Sequence, residues 1–177
     1  MKLISEQIVK QTWMEISSYD TEKIDFEFSK FGERQPDLTY FIIEFTQDQQ
    51  QTAIELCLYM FFTICRIFEK SSANRIKQIT FDEIETIFKK NEKLIETLEG
   101  VHERFYERIA RVQFFNQPFL MKYIIETLVE VTEIENTLSE KETGYLFFLF
   151  KNVVDIFDEA FQPMRLNEKK NKIRTLK

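Results

Sequence analysis

One segment near the middle of the chain is apolar on nearly every side of a helix: LCLYMFFTICRIF, residues 56–68. A helix with this pattern has almost no polar face to turn towards water, so it is typical of the buried centre of a bundle. The helix around it is predicted to run from about Gln49 to Lys70. A second helix of the same kind, Tyr145 to Phe161, lies near the other end of the chain. The sequence therefore predicts two central helices that other helices must cover.

Amphipathic helices surround these two segments along the chain. A first apolar stripe at helical spacing contains Ile4, Ile8, Val9, Trp13 and Ile16. Helix starts are marked by Asp20 as a cap, by Pro36 and Pro118 at first helical positions, and by Thr80–Glu83 and Ser139–Glu142 as capping boxes. Three Gly and three Pro are too few for a fold of many short strands. The predicted fold is all-α, a single bundle of about seven helices.

The chain also matches itself. Residues 35–44, QPDLTYFIIE, and residues 117–126, QPFLMKYIIE, are identical at six of ten positions, at an offset of 82. Leu58–Glu69 aligns with Phe147–Asp158 at an offset of 89, and residues 133–139 suit the seven-residue insertion between the two matches. We predict two similar halves, about 1–70 and 80–164, with a linker at 71–79. They form one domain, residues 1–164, because neither half can cover its own central helix. Duplication is one interpretation; convergence of two Pro-started helices is the other.

The second alignment places Arg66 over Asp155, two opposite charges inside otherwise apolar helices. If a pseudo-two-fold axis passes near both, they are expected to face each other as an ion pair. The alternative is that each side chain extends from its own helix to solvent.

Few residues could supply catalysis or bind a metal. His102 is the only histidine, and Glu99 gives it the Glu-x-x-His spacing of di-iron bundles, which need a second such pair that this sequence lacks. Cys57 and Cys65 are eight residues apart in one apolar helix, so we expect two buried reduced thiols. No Gly-rich phosphate loop, nucleophile elbow or dinucleotide fingerprint occurs. We assign no catalytic, cofactor-binding or metal-ligating residue, expect no cofactor, and lean against an enzyme.

Two groups of carboxylates occur at helical spacing: Glu126, Glu130 and Glu133, and Asp155, Asp158 and Glu159. Acidic residues at this spacing usually form a solvated helix face. We interpret both groups in that way.

Charge is unevenly distributed along the chain. The formal charge is −6; residues 165–177 carry +5, which leaves −11 for the rest. We interpret 165–177 as a basic, flexible C-terminal tail that could hold nucleic acid, an anionic membrane surface or its own acidic body. No apolar leader occurs at the N-terminus and the apolar run Leu56–Ile64 is too short to span a membrane, so the expected location is the cytoplasm.

Three functions remain open. The favoured one is a non-enzymatic interaction protein, an adaptor or regulator, whose partner is another protein or a second copy of the chain in a homodimer. An alternative is an enzyme or carrier that binds an apolar ligand in an interior cavity lined by phenylalanines: Phe61, Phe62, Phe147, Phe148 and Phe150. A second alternative is weak nucleic-acid binding through the tail, Arg165–Lys177.

Overall fold

The computed structural model describes residues 3–72, 76–96, 116–134 and 137–161. Over these residues the chain forms seven α-helices: α1 (Glu6–Ile16), α2 (Thr21–Arg34), α3 (Pro36–Thr46), α4 (Gln51–Ser71), α5 (Phe81–Glu96), α6 (Pro118–Val129) and α7 (Glu140–Ala160). A short π-helical segment, Glu130–Ile134, continues α6. No strand occurs in the described part of the chain, and the predicted all-α bundle is confirmed.

The helix starts follow the local signals in the sequence. Pro36 and Pro118 stand at the first positions of α3 and α6. At α7, Ser139 and Glu142 form the full capping box, in which each side chain bonds the other residue's backbone N–H. Before α5 only half of the predicted box forms: the Glu83 carboxylate accepts the backbone N–H of Thr80. The Thr80 hydroxyl donates to the same carboxylate at 3.2 Å and does not accept the backbone N–H of Glu83.

The two central helices pack against each other, as the sequence predicts. The rings of Phe68 in α4 and Phe157 in α7 stack with their centroids 4.9 Å apart. These two residues occupy equivalent positions in the self-alignment, at the offset of 89. Each is fully buried, and removing one such side chain from water contributes about 1.5–3 kcal/mol to folding.

The first helix buries a slightly different stripe from the predicted one. Val9, Thr12 and Ile16 face the core, whereas Trp13 is 41% exposed. Positions 9, 12 and 16 follow a helical spacing of three and four residues, and Trp13 lies about 100° around the helix from Thr12. The prediction for Trp13 was wrong because a large apolar side chain was expected to be buried. The smaller Thr12 occupies the core position instead.

Two buried glutamines bind the halves to each other. Gln35 precedes α3, and its Oε1 accepts the backbone N–H of Ile79 at 2.9 Å. Gln117 precedes α6, and its Oε1 accepts the backbone N–H of Ile4 at 2.8 Å. The glutamine of each half therefore holds the start of the other half's first helix. The helix contacts are reciprocal in the same way: α3 packs on α5 and α6 on α1, while α1 packs on α4 and α5 on α7.

These contacts extend the alignment of the two halves. Because Ile4 and Ile79 bind equivalent glutamines, α1 aligns with α5 at an offset of 75, which places Trp13 over Phe88. The π-helical segment Glu130–Ile134 overlaps the predicted insertion at 133–139. Whether the halves arose by duplication stays a prediction.

Candidate functional site

The residues considered for nucleophilic or metal chemistry do not form a centre in the described part of the chain. Glu99 and His102 lie outside the described residues. Cys57 and Cys65 are free and buried, which confirms their predicted state. Burial raises the pKa of Cys57 to about 12 and that of Cys65 well above its ordinary value, so neither thiol forms a nucleophilic thiolate in the folded protein. Within the described ranges, no group of three or more metal-binding side chains occurs.

The interpretation of Asp155 and Asp158 as part of a solvated face is wrong. Both carboxylates are buried. Asp155 accepts a bond from Asn91 Nδ2 at 3.0 Å and pairs with Lys151 one turn earlier. Asp158 accepts a bond of 2.6 Å from Nε2 of Gln117, the glutamine that holds α1. Burial is tolerated because each charge has a specific partner, so these carboxylates bind elements of the fold together.

The other acidic residues behave differently. Glu126, Glu130 and Glu159 are exposed, as predicted. The Glu133 side chain lies outside the described residues.

The predicted ion pair between Arg66 and Asp155 does not form. Arg66 Nη1 instead lies 2.8 Å from Glu69 Oε2, and Asp155 pairs with Lys151. The reason is geometric. Arg66 lies beside Tyr19, in the connection between α1 and α2, and near Glu27 of α2, while Asp155 faces Asn91 of α5, so the two side chains point to different parts of the bundle.

The five phenylalanines of the predicted apolar cavity do not share one lining. The Phe61 ring packs edge-on against Phe28 and Phe31 of α2, at 6.2 and 5.5 Å. The Phe148 ring packs against α5, with its centroid 5.2 Å from that of Phe88. The other three, Phe62, Phe147 and Phe150, are buried. Phe61 and Phe148 therefore face different helices; Phe61 is buried in the core, whereas Phe148 is half-buried.

The region between α3, α5 and α7 is filled by aromatic rings. The Phe88 centroid lies 6.0 Å from that of Phe41 and 6.2 Å from that of Phe45. Tyr145 stacks on Phe45 at 4.2 Å and donates its hydroxyl to the backbone carbonyl of Phe45 at 2.6 Å. Together with Phe148 these residues form a cluster in which each ring pair adds about 0.5–1.5 kcal/mol beyond simple burial.

The equivalent region of the other half, between α6, α1 and α4, holds hydroxyl groups instead. Tyr123, Thr127 and Tyr59 stand at the positions that are phenylalanine in the aromatic cluster. Tyr123 Oη and Thr12 Oγ1 are closed to solvent and make no hydrogen bond of good geometry with a described residue, although the Thr127 and Thr63 hydroxyls lie near Tyr123. Burial and the neighbouring Tyr59 raise the pKa of Tyr123, and the nearby Thr127 hydroxyl lowers it by less. An unpaired buried hydroxyl costs about 1–3 kcal/mol.

The outer surface where α3 meets α5 carries apolar side chains. Tyr40 and Phe81 are 56% and 51% exposed, whereas the exposed Ile43 lies on the side of α3 opposite Phe41 and Phe45, which contact α5. The Phe81 backbone N–H donates to Asp37 Oδ2 at 3.0 Å, which joins the start of α5 to α3. Tyr40 lies one turn beyond Asp37, and a hydrogen bond to Glu44 raises the pKa of its phenol. We call Asp37, Tyr40, Glu44 and Phe81 the α3–α5 face.

The equivalent surface of the other half, where α6 meets α1, is charged. Lys122 stands at the position of Tyr40, and Glu6 stands at that of Phe81. Lys122 Nζ lies 3.4 Å from Glu6 Oε1 and 3.9 Å from Glu126 Oε1. At matching places in the fold, one surface exposes rings and the other exposes ion pairs.

Other exposed apolar side chains occur on α1 and α2. Trp13 and Met14 are neighbours on α1, and Phe26 lies on α2 with Lys30 Nζ 3.9 Å from its ring centroid. The lysine partly covers that ring through a cation–π contact.

By length and composition, α4 could cross a membrane, and it is the one such helix in the described part of the chain. A buried core helix passes the same test, and 56% of its most apolar window lies inside the bundle. This is weak evidence, and the expected absence of a membrane span stays a prediction.

No protein-family model matches the chain, and no curated protein or solved structure matches it at a significant level. Its function has to be inferred from its own surfaces and interior.

The residues that sequence reasoning missed are the polar ones inside the bundle. Gln35 and Gln117 were visible in the self-match, each directly before a proline, but their side chains were given no role. Asn91 carries no local signal and becomes interpretable only when α5 is aligned with α1, where the equivalent residue is the buried Ile16.

Proposed function

We propose that this chain is a non-enzymatic interaction protein, an adaptor or regulator, that binds a partner protein through the α3–α5 face. One observation carries the proposal: Tyr40 on α3 and Phe81 at the start of α5 are exposed, while the equivalent positions of the other half hold the ion pair of Lys122 and Glu6. Single exposed apolar residues are common, but adjacent ones mark contact surfaces.

The chemistry of the face suits protein recognition. Tyrosine and phenylalanine bury a large area with few rotatable bonds and often dominate the binding energy of an interface. Asp37 and Glu44 provide carboxylates beside the rings, so the surface can select a partner by charge as well as by shape.

The interior supports the same reading. Asp155 and Asp158 are bound to Asn91, Lys151 and Gln117, and their hydrogen bonds hold helices together. Both thiols are buried. The buried reactive groups of the described residues thus take part in packing, and the features left over for function are on the surface.

The proposal is tested by recovering crosslinked partners of the tagged full chain from its native cell. We compare the wild type with the double variant Tyr40→Ser, Phe81→Ser. Loss of two aromatic anchors is expected to lower recovery of a specific partner about tenfold or more, the equivalent of about 1.4 kcal/mol or more in binding.

A matched control removes two exposed apolar side chains elsewhere, Met14→Ser and Phe26→Ser, which are 54% and 58% exposed in the wild type. Circular dichroism checks that both double variants stay folded. Equal recovery from both variants, or loss in the control alone, would reject the α3–α5 face. If the recovered partner is the chain itself, the homodimer is the form that the interaction takes.

A further inference from the structure

We infer that the basic C-terminal segment, residues 162–177, docks on the α3–α5 face of its own chain and competes there with a partner. The inference rests on the proposed function for the identity of the face and adds a device that regulates it.

The first argument is the charge of the face. No lysine or arginine occurs between Arg34 and Arg66, so α3 and the turn after it carry acidic charge only. Glu44 on α3 and Asp48 in the turn after it are both exposed. On α6, by contrast, Lys122 lies next to the acidic residues. The α3–α5 face is therefore the one of the two that lacks a basic residue on its proline-started helix.

The second argument is the composition of the C-terminal segment. Residues 165–177 hold six basic residues and one acidic residue. Ile173 and Leu176 are three positions apart, with Lys172, Arg174 and Lys177 around them. Apolar side chains flanked by cations complement exposed rings flanked by carboxylates. The apolar side chains can cover the rings, and the cations can pair with Glu44 and Asp48.

The third argument is reach. The segment begins after Phe161, whose ring stacks on Phe68 with centroids 6.0 Å apart. Its sixteen residues extend to about 53 Å at 3.3 Å each. A chain of this size has a radius of gyration of about 15 Å and hence a diameter near 40 Å. The segment is long enough to reach the face, and a tether of this length gives an effective concentration in the millimolar range.

The test places a nitroxide spin label on the full chain through Thr175→Cys. The native thiols stay unlabelled because both are buried with raised pKa values. Docking is expected to remove most of the NMR signal intensity of Tyr40 and Phe81 by paramagnetic broadening, while Phe26 keeps its signal. The broadening should vanish at about 0.5 M salt, where the screening length falls to about 4 Å.

Matched variants locate the charge contact. Glu44→Gln with Asp48→Asn is expected to abolish the broadening, whereas Glu126→Gln with Glu130→Gln, at the equivalent positions of α6, leaves it unchanged. Broadening of the α6–α1 surface, no broadening of either surface, or broadening that grows with protein concentration would each overturn docking within one chain. The last result would assign the segment to a second copy.

Regulation is measured separately by partner recovery. In the full chain, the triple variant Lys169→Gln, Lys170→Gln, Lys172→Gln should raise apparent affinity for the partner about twofold if half of the faces are covered. Unchanged recovery would reject the competition. If recovery still depends on Tyr40 and Phe81 but the segment never approaches them, the regulation is wrong and the proposed function stands.

Discussion

The two halves of the bundle have equivalent helices, but the side chains between and outside those helices differ. Between α3, α5 and α7, half-buried phenyl rings pack together, and Tyr40 and Phe81 are exposed outside. Between α6, α1 and α4, hydroxyls replace the rings and Lys122 pairs with Glu6 outside. Because the same helix arrangement accommodates an ion pair, the architecture does not require exposed rings at this place. That difference is what favours a functional role for the α3–α5 face.

The largest expected effect comes from the matched positions 88 and 13. Phe88→Ala removes a half-buried ring that contacts three others and should lower the free energy of unfolding by about 2–3 kcal/mol. Trp13→Ala, at the equivalent but exposed position, should cost less than about 1 kcal/mol. Urea unfolding of both variants measures the difference, and equal losses would mean that the two regions are packed alike.

The glutamines provide the next comparison. Gln117→Ala removes one hydrogen bond from the Ile4 N–H and one from the buried Asp158 carboxylate. The free energy of unfolding should fall by about 2 kcal/mol. Gln35→Ala leaves two backbone groups, the Ile79 N–H and the Lys77 carbonyl, and should cost about 1 kcal/mol because no charge is involved. A larger loss at Gln35, measured by denaturant midpoint, would contradict this order.

Alkaline pH should destabilise the protein in part through the two thiols of α4. Cys57 and Cys65 lie in α4, whereas the equivalent residues of α7, Leu146 and Val154, do not titrate. Burial raises the pKa of Cys57 from 9.0 to about 12. Above pH 9 the unfolded chain loses the thiol proton while the folded chain keeps it. The stabilisation that is fully present below pH 9 is therefore lost as pH rises, and the free energy of unfolding falls by about 1.4 kcal/mol per pH unit for each thiol.

The measurement is the melting temperature between pH 7 and 10. The double variant Cys57→Val, Cys65→Val should lose less stability over this range than the wild type. A wild-type profile that is flat above pH 9, or a variant with the same slope, would show that the thiols are not the titrating groups.

The smallest effect is expected from exchanging one hydroxyl between the regions. Tyr123→Phe removes a buried hydroxyl that makes no hydrogen bond of good geometry with a described residue and should stabilise the protein by up to about 1 kcal/mol. Phe41→Tyr, at the equivalent position, inserts a hydroxyl beside the rings of Phe45 and Phe88 and should destabilise it by a similar amount. Calorimetry checks the signs, and destabilisation by Tyr123→Phe would indicate that its hydroxyl is hydrogen-bonded in solution.

Sequence patterns were sufficient for the elements and insufficient for their polar contacts. Pro36, Pro118 and the Ser139–Glu142 box act within one turn of chain, and each starts a helix where expected. The predicted exposure of Asp155 was wrong because a carboxylate at helical spacing usually faces solvent. Its burial depends on a hydrogen bond from Asn91, which is distant in the sequence.

The candidate site shows the same division. The exposure of Tyr40 and Phe81 could not be predicted, because aromatic residues at helical spacing are usually core. What distinguishes the two residues is the relation of α3 to α5, which is set by the contact between Asp37 and the start of α5.

The bond between Ile4 and Gln117 has a consequence for synthesis of the chain. The two residues are 113 positions apart, so the start of α1 cannot be fixed until most of the protein has left the ribosome. Until then, the Phe-rich α4 lacks α7, its partner at the centre, and its apolar sides are open to chaperones or to aggregation. Closure of the two halves is thus a late folding event, and contacts of such long sequence separation are expected to make it slow.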